Sequence, residues 1–333
     1  MFEQRAHLTA PSSVIFDAIE GRAKQGGFTA ERSDSSLVVT APLGVVDMQA
    51  TKGGVDMILT AESPEKLQLF VDLYAQRFAD FGLDKTLKWQ TVSAKVPRNQ
   101  MLATVTASEQ ISPNFHRLRL EGDFAAFQRP NAGLHFRFLF SKTATGWPYL
   151  DDSGVTQWPE GAQSWHRPPY TVRRISKAAD WIDVDIVLHA GGQTTDWCQS
   201  VELGTEIGLH GPSGSSLPTA KWLGLAGDET ALPVILHMAE QAVEGAEGQA
   251  HLFVRDLQDR QDIVTPVGLT VHWHPVSELE NLEDILRQMP PQHEDYHMFF
   301  AGERLLSGRA RETFREMDLE TRRTKAASYW LRS

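Results

Sequence analysis

With 333 residues, 41% of them hydrophobic and 23% charged, the chain is long enough for two or three globular domains with separate cores, and we expect three. A net charge of −11 disfavours nonspecific binding to nucleic acid or to anionic membranes, and no run reaches the ~18 apolar residues of a spanning helix. A single cysteine, Cys198, excludes an internal disulfide, a thiolate-rich zinc site and a cysteine-held iron–sulfur cluster built by this chain alone, so redox chemistry would need a borrowed cofactor.

The opening stretch MFEQRAHLTAPSS lacks the basic-then-apolar order of a secretory signal, and a cytoplasmic protein is expected. The strand-like runs SLVVTAPL, VVDMQAT and VDMILTA precede a helix that Ser63 can cap and Pro64 can open, with Leu67, Phe70, Tyr74, Phe78 and Phe81 along one stripe. Gly82 ends that helix, and KVPRNQ reads as a linker. Residues 1–92 are therefore predicted to form a small α+β domain, in which His7 stands alone and no cluster of titratable or metal-ligating residues occurs.

From Met101 the texture changes to alternating runs, MLATVTASEQI, FHRLRLEG, LHFRFLF, YTVRRI and WIDVDIVLHA, which predict an antiparallel barrel over 98–216. After Leu217 strands and helices alternate. WLGLAGDE leads into TALPVILHMAEQA, then come AHLFVRD, LTVHWHP, a helix near Glu278 to Met289, YHMFFAGE and a final helical region. This pattern predicts a parallel sheet with crossover helices over 217–333.

Four stretches could carry chemistry. In LAGDETALP, an apolar strand runs into Gly227, with Asp228, Glu229 and Thr230 at the opening of a helix. Backbone N–H groups there face the region beyond the strand's carboxyl end and could seat a phosphate, although an ordinary turn capped by Thr230 is the alternative. YHMFFAGERLL repeats the design, with Gly302 ending a strand and Glu303 opening a helix, so the two ends would bracket one crevice. In VLHAGGQTTDW, Gly191 and Gly192 permit close backbone approach, and Thr194 or Thr195 starts a short helix whose N–H groups suit a diphosphate. A hairpin turn with a helix cap is the alternative there, and His189 alone reads as a rim histidine.

The fourth is HRPPYTVRR, His166 to Arg174. A tyrosine can cover a broad flat ring, a threonine hydroxyl can approach a nitrogen edge, and arginine forks a diphosphate. These are the needs of a flavin dinucleotide, against the alternative of an amphipathic strand introduced by proline. Strand alternation would put Tyr170 and Val172 on one face and Thr171 and Arg173 on the other.

The motifs YTVR (170–173), IDVDIVLH (182–189), HGPSG (210–214), LAGDETALP (225–233), AGE (301–303) and YW (329–330) occur in one order over residues 98 to 333. In this the chain resembles the siderophore-interacting protein family, flavin-dependent ferric-siderophore reductases related to ferredoxin reductases. The resemblance implies an FAD-binding barrel followed by a nicotinamide-nucleotide domain, with electrons passing from NAD(P)H through FAD to an Fe(III)-siderophore. It implies Tyr170 and Thr171 as catalytic groups at the isoalloxazine with Val172 beside them, Arg173 near flavin or diphosphate, and His189, Gly191, Gly192, Thr194 and Thr195 around the FAD chain. Gly227, Asp228, Glu229 and Thr230, with Gly302 and Glu303, would lie at the nicotinamide-nucleotide side. The family carries arginine two positions before the tyrosine; here that position is Pro168, and Arg167, one residue earlier, is the candidate. The first 90 residues lie outside the resemblance and look similar to a small uncharacterised α+β domain.

From Arg304 to Ser333 eight Lys/Arg stand against four Asp/Glu, a net +4. Arg309, Arg311, Arg315, Arg322, Arg323 and Lys325 are thus candidates to dock an anionic chelate, a solvated helix face being the alternative. Arg255 and Arg260 could take a 2′-phosphate and favour NADPH, whereas Asp256 and Asp259 could favour the free ribose of NADH. The expected protein is a monomer that ligates no metal itself. The rival readings are a related flavoenzyme with a protein, flavin or quinone acceptor, and a non-enzymatic ferric-siderophore binder.

Overall fold

The computed structural model describes residues 1–332, so Ser333, the end of the expected 217–333 domain, lies outside the described residues. The chain divides into two compact units: Met1–Gln100 with Leu139–Arg167, and Met101–Phe138 with the chain from Pro168 onward.

The first unit begins with β1 (Phe2–Leu8), α1 (Ser12–Gln25), β2 (Thr29–Arg32), β3 (Ser36–Ala41), β4 (Gly44–Thr51), β5 (Gly54–Ala61), α2 (Pro64–Asp80) and β6 (Leu87–Trp89). The strands form one antiparallel sheet in the order β2-β3-β4-β5-β1-β6. Alternation along each strand buries Val39, Val46, Met48, Met57 and Leu59 in one core with Phe16 and Ile19 of α1 and Leu67, Phe70, Tyr74 and Phe78 of α2. The caps of α2 follow its sequence. Ser63 Oγ accepts from Lys66 N at 3.2 Å, and Gly82, at φ +69°, lets Leu83 N donate back to Phe78 O at 2.7 Å.

The second unit opens with the barrel: β7 (Gln100–Ser112), β8 (Phe115–Gly122) and β9 (His135–Ser141). Beyond Phe138 the chain passes into the first unit through β10 (Tyr149–Leu150), β11 (Thr156–Gln157) and β12 (Trp165–His166). It returns as β13 (Pro169–Thr171), β14 (Arg174–Ile175), β15 (Trp181–Val187), α3 (Gln193–Ser200) and β16 (Glu206–Ser213). The sheet order is β9-β16-β7-β8-β15-β14, with β13 also on β9, and the β7/β8, β8/β15, β15/β14 and β9/β13 pairs are antiparallel. Leu118, Leu120, Phe136, Phe138, Val184 and Ile186 are buried along its strands, whereas Phe115 packs in the apolar cluster of the α/β half.

The expected single strand YTVRRI is broken. Val172 N donates to Leu134 O at 2.9 Å, whereas Arg173 N donates to Asp183 O at 2.8 Å, so the chain changes partner strand between these two residues. Alternation fails at that corner, and Val172 and Arg173 are both fully buried.

The α/β half follows in the same unit: β17 (Trp222–Gly227), α4 (Leu232–Glu240), β18 (Glu247–Val254), β19 (Gly268–Pro275), α5 (Leu282–Arg287), β20 (Tyr296–Glu303), α6 (Arg304–Glu316) and β21 (Thr324–Trp330). All five strands are parallel, in the order β19-β18-β17-β20-β21. Every residue of the central β17 is buried, which is why it reads as an unbroken apolar run. Helix α4 packs in one apolar cluster and α5 and α6 in another. The expected final helical region is helix α6 followed by an edge strand. Among the described residues no helix is long and apolar enough to cross a membrane.

Candidate active site

On the barrel, β9 and β13 pair Phe136 with Tyr170 and His135 with Thr171. Thr171 Oγ1 and His135 Nδ1 are 3.0 Å apart. The other ring nitrogen, His135 Nε2, lies 3.2 Å from the Tyr329 hydroxyl of β21, and the two rings meet edge to face. Burial, with the Lys325 cation second, holds His135 down to about 4, so at neutral pH the ring carries one N–H and the three groups form a chain that runs one way. Gly214, at φ +77°, backs this ring; a Cβ there would sit 2.4 Å from His135 Cδ2.

Tyr170 packs against Phe138 with ring centroids 5.2 Å apart. Its hydroxyl is hydrogen-bonded with Thr194, and burial pushes the phenol up to about 12. Thr194 lies in the first turn of α3, whose N-cap, Gly192, offers no side chain to the turn, so backbone donors there are left for a ligand. Thr195 Oγ1 accepts from His189 N at 3.2 Å. Gly191 adopts φ +73°, and a Cβ on Gly192 would meet His189 Cε1 at 2.5 Å, so both glycines of the approach are required. Cys198 is buried on the same helix, its Sγ 3.2 Å from Thr195 O, and burial pushes the thiol up to about 12. An uncapped helix start, a two-glycine approach and a partly exposed tyrosine beside it form a donor set that fits a flavin dinucleotide.

At the carboxyl edge of the parallel sheet, Asp228 is buried after Gly227. Its Oδ1 accepts from the amide and hydroxyl of Thr230 at 2.9 and 2.5 Å. Its Oδ2 accepts from Glu303 N at 2.9 Å and from Trp330 Nε1 at 2.8 Å. Asp228 therefore fastens three segments together, and Gly302 gives it room, since a Cβ there would lie 2.5 Å from Oδ2. Thr230 is committed to this turn, the N-cap of α4 being Ala231. Glu303 caps α6 through the amides of Leu305 and Leu306, at 2.6 and 3.3 Å. Glu229 pairs with Arg255 at 2.9 Å, and its Oε2 is buried with no hydrogen-bond partner. Burial pushes this carboxyl up despite Arg255. An orphaned acceptor at this edge fits a nucleotide amide or hydroxyl. Tyr329 and Trp330, adjacent in the chain, thus join the barrel's Thr171–His135 pair to the strand ends of the sheet.

Several expected residues stand elsewhere. Arg173 is wholly buried, donating to both oxygens of Glu240 at 2.5 and 3.1 Å and to Gln261 at 3.2 Å. It lies in the seam between the barrel and the α/β half, with no face toward solvent, where the sequence reading expects a contact with flavin or diphosphate. Gln261 also joins Arg117 and Asp185, themselves paired at 2.7 and 2.9 Å. Arg167 lies over the Trp158 ring at 4.5 Å. Asp259 is buried and accepts from Ser112 and Asn114 at 2.6 to 3.0 Å, so it cannot serve a ribose hydroxyl. Asp256 caps a single turn at Gln258, Arg255 also donates to Leu188 O at 3.0 Å, and Arg260 is exposed.

The basic tail is not one patch. Arg309 pairs with Glu283 at 2.5 Å, Arg311 donates to Ala326 O at 3.0 Å, and Arg315 pairs with Glu312. Arg322 pairs with Glu320 at 2.5 Å, and Arg323 with Asp295 at 3.3 Å. Lys325 alone of the six lies by the barrel site, donating to Ser215. Sequence reasoning missed His135 and gave Tyr329 no role; their partners are 36 and 194 residues away, beyond any local pattern.

Residues 104–216 match the siderophore-interacting FAD-binding domain and residues 220–333 the siderophore-interacting protein domain. The ferric vibriobactin reductase ViuB of Vibrio cholerae is 30% identical over 237 residues, 67% of this chain and 86% of that protein. The chain belongs to the siderophore-interacting protein family. Another relative, the NADPH-dependent ferric-chelate reductase of Escherichia coli, is 24% identical over 68% of this chain and 91% of its own length. The crystal structure of the siderophore-interacting protein SipS from Aeromonas hydrophila superposes with a TM-score of 0.58 at 27% identity, covering 71% of this chain and 92% of that one. The barrel followed by a parallel sheet is the fold of ferredoxin reductases, and the expected fold class holds.

Proposed function

We infer that this protein is an NAD(P)H-dependent, FAD-carrying reductase of ferric siderophores, with residues 98–216 as its flavin domain and 217–333 as its nicotinamide-nucleotide domain. One observation carries the reading: the Tyr329–Trp330 pair ties Thr171 and His135 on the barrel to Asp228 and Glu303 at the sheet's carboxyl edge. A flavin site and a nucleotide crevice are thereby held side by side. Bound FAD supplies what no side chain here can, accepting two electrons as hydride and passing them on singly to Fe(III).

The chain's own residues hold and orient. Tyr170 offers a ring face, Thr171 a hydroxyl fixed by His135, and α3 with Gly191 and Gly192 a diphosphate seat. Gly227, Glu229 and Gly302 line the nucleotide side, where Asp228, Thr230 and Glu303 fix the backbone. Lys325 supplies positive charge toward an anionic chelate; the arginines of the tail act through the field around it. Oxygen-rich chelators hold hard Fe(III) far more tightly than Fe(II), so reduction loosens the metal without any protein ligand to iron. We place this work in the cytoplasm, as suits a chain with one cysteine, buried and unpaired.

The absorption spectrum tests the reading. A yellow protein should bleach with NADPH and recover its colour with a ferric siderophore as a ferrous-iron trap develops. A colourless protein that takes up no FAD would refute it.

A further inference from the structure

Helix α3, which follows the two-glycine approach and carries Thr194 and Thr195, is eight residues long. A helix this short does not hold in water on its own, so the seat it offers a diphosphate depends on what fastens it to the barrel. Near its amino end, Thr194 is hydrogen-bonded to the Tyr170 hydroxyl and Thr195 accepts from His189 N. Trp197 meets Phe138 of β9 edge to face, with ring centroids 5.6 Å apart.

The carboxyl end is fastened differently. A helix leaves its last four carbonyls without partners of its own, and the chain departs from α3 at Val201 in an extended conformation, with no glycine cap. Ser200 Oγ reaches back to Asp196 O at 2.8 Å and to Trp197 O at 3.4 Å. Cys198 O accepts from outside the helix, from Ser108 Oγ of β7 at 2.9 Å. The same strand receives the segment that follows. Gly204 N donates to Val105 O at 2.8 Å, and Val105 N donates to Thr205 O at 2.9 Å. The register of β7 against β8 shifts between Val105 and Ala107, just before Ser108, and such bulges re-aim the side chains beside them.

Ser108 has one hydroxyl proton, and Cys198 O takes it. Towards His116 Nε2, 2.8 Å away, the same oxygen can only accept. His116 therefore carries its proton on Nε2. Its Nδ1, buried and without a hydrogen-bond partner, is the bare nitrogen of a neutral ring. Burial holds this ring below the ordinary histidine value, against a smaller opposing pull from Glu109. His116 is 7% exposed, and burying an imidazole with one nitrogen unpaired is costly. What that ring accomplishes is to fix the direction of one hydroxyl.

We propose that Ser108 and His116 are positioning residues for FAD: the imidazole aims the Ser108 hydroxyl, the hydroxyl caps Cys198 O, and the cap keeps α3 docked with its free amides toward the diphosphate. This role rests on the flavin reading above. FAD is taken up by the docked helix, so its apparent dissociation constant rises by the factor by which the docked population falls. The test uses the full-length chain with Ser108→Ala, Ser108→Thr, His116→Leu and His116→Gln. Three quantities are read: the FAD dissociation constant by flavin fluorescence, the hydrogen exchange of the α3 amides with and without FAD, and the melting temperature.

Ser108→Ala should weaken FAD binding about threefold to tenfold, the scale of one neutral hydrogen bond. It should also speed exchange across residues 193–200 in the FAD-free protein, with saturating FAD restoring the protection. His116→Leu should act in the same direction. Ser108→Thr, which keeps the hydroxyl, and His116→Gln, whose amide can still donate to it, should recover most of the affinity. A merely structural contact would lower the melting temperature and leave the dissociation constant and the exchange of α3 unchanged, and that result would overturn the proposal. Equal losses in Ser108→Thr and Ser108→Ala would overturn it too, because the hydroxyl would then not be the cause. A wild-type chain that takes up no FAD would instead overturn the flavin reading on which it depends.

Discussion

The two ends of the five-residue stretch Tyr170–Arg174 do opposite work. At Tyr170 and Thr171 the side chains reach Thr194 and His135, and the tyrosine ring stays partly exposed beside the start of α3. At Arg173 the guanidinium is spent on Glu240 and Gln261, wholly out of water. A cation three residues from the candidate flavin tyrosine thus serves the joint between the barrel and the α/β half. The lesson is that residue type near a motif says little until the backbone's partner is known, because the corner between Val172 and Arg173 turns the chain from one strand to another.

The largest effect should come from the closed end. Arg173→Met leaves the Glu240 carboxylate, itself only 15% exposed, with just the longer Arg174 contact at 3.5 Å, and should cost about 3 kcal/mol in chemical denaturation. A loss below about 1 kcal/mol, the scale of an exposed pair, would mean that the seam does not depend on this contact. Tyr170→Ala should do the reverse, weakening FAD binding by tenfold or more, on the order of 1.4 kcal/mol, while the denaturation midpoint moves little. Tyr170→Phe, which removes only the Thr194 bond, should lie between Tyr170→Ala and wild type.

Acid should weaken the open end next. His135 is held near 4 and His251, buried among His272 and His274, near 3, against an ordinary 6.5. The unfolded chain then binds more protons than the folded one below 6.5, so the stability from these rings is complete above that pH and is lost as pH falls toward 4 and then 3. The denaturation midpoint should drop between pH 7 and pH 5, and His135→Asn should flatten that dependence. The smallest effect belongs to the tail. Replacing Arg322, Arg323 and Lys325 together by alanine should raise KM for an anionic ferric chelate a few-fold at low salt and less at high salt. Lys325→Ala alone should reproduce most of it, because the two arginines already face Glu320 and Asp295.

Much of the architecture was legible in sequence because its signals are local. The stripe and caps of α2, the alternating barrel runs and the apolar β17 each follow from a repeat of a few residues. The two glycine-ended strands of the sheet were legible for the same reason. The hidden part is long-range. Nothing near Asp228 announces that its carboxylate is shared by Thr230, Glu303 and Trp330, and nothing near Thr156 announces Asp72, which is 84 residues away. The basic tail misled because a count of charges does not reveal the acids already beside them. The last strand, β21, reads in sequence as part of a helical region, because its short run, TKAASYW, acquires its meaning only beside β20.

Cys198 turns the candidate diphosphate seat into its own reporter. The chain's single thiol is sealed inside α3 and nearly inert there as long as the helix stays docked. An alkylating reagent in the buffer would consequently mark each opening of that helix at one defined atom. The slowing of that labelling by added dinucleotide would measure occupancy without any need for turnover.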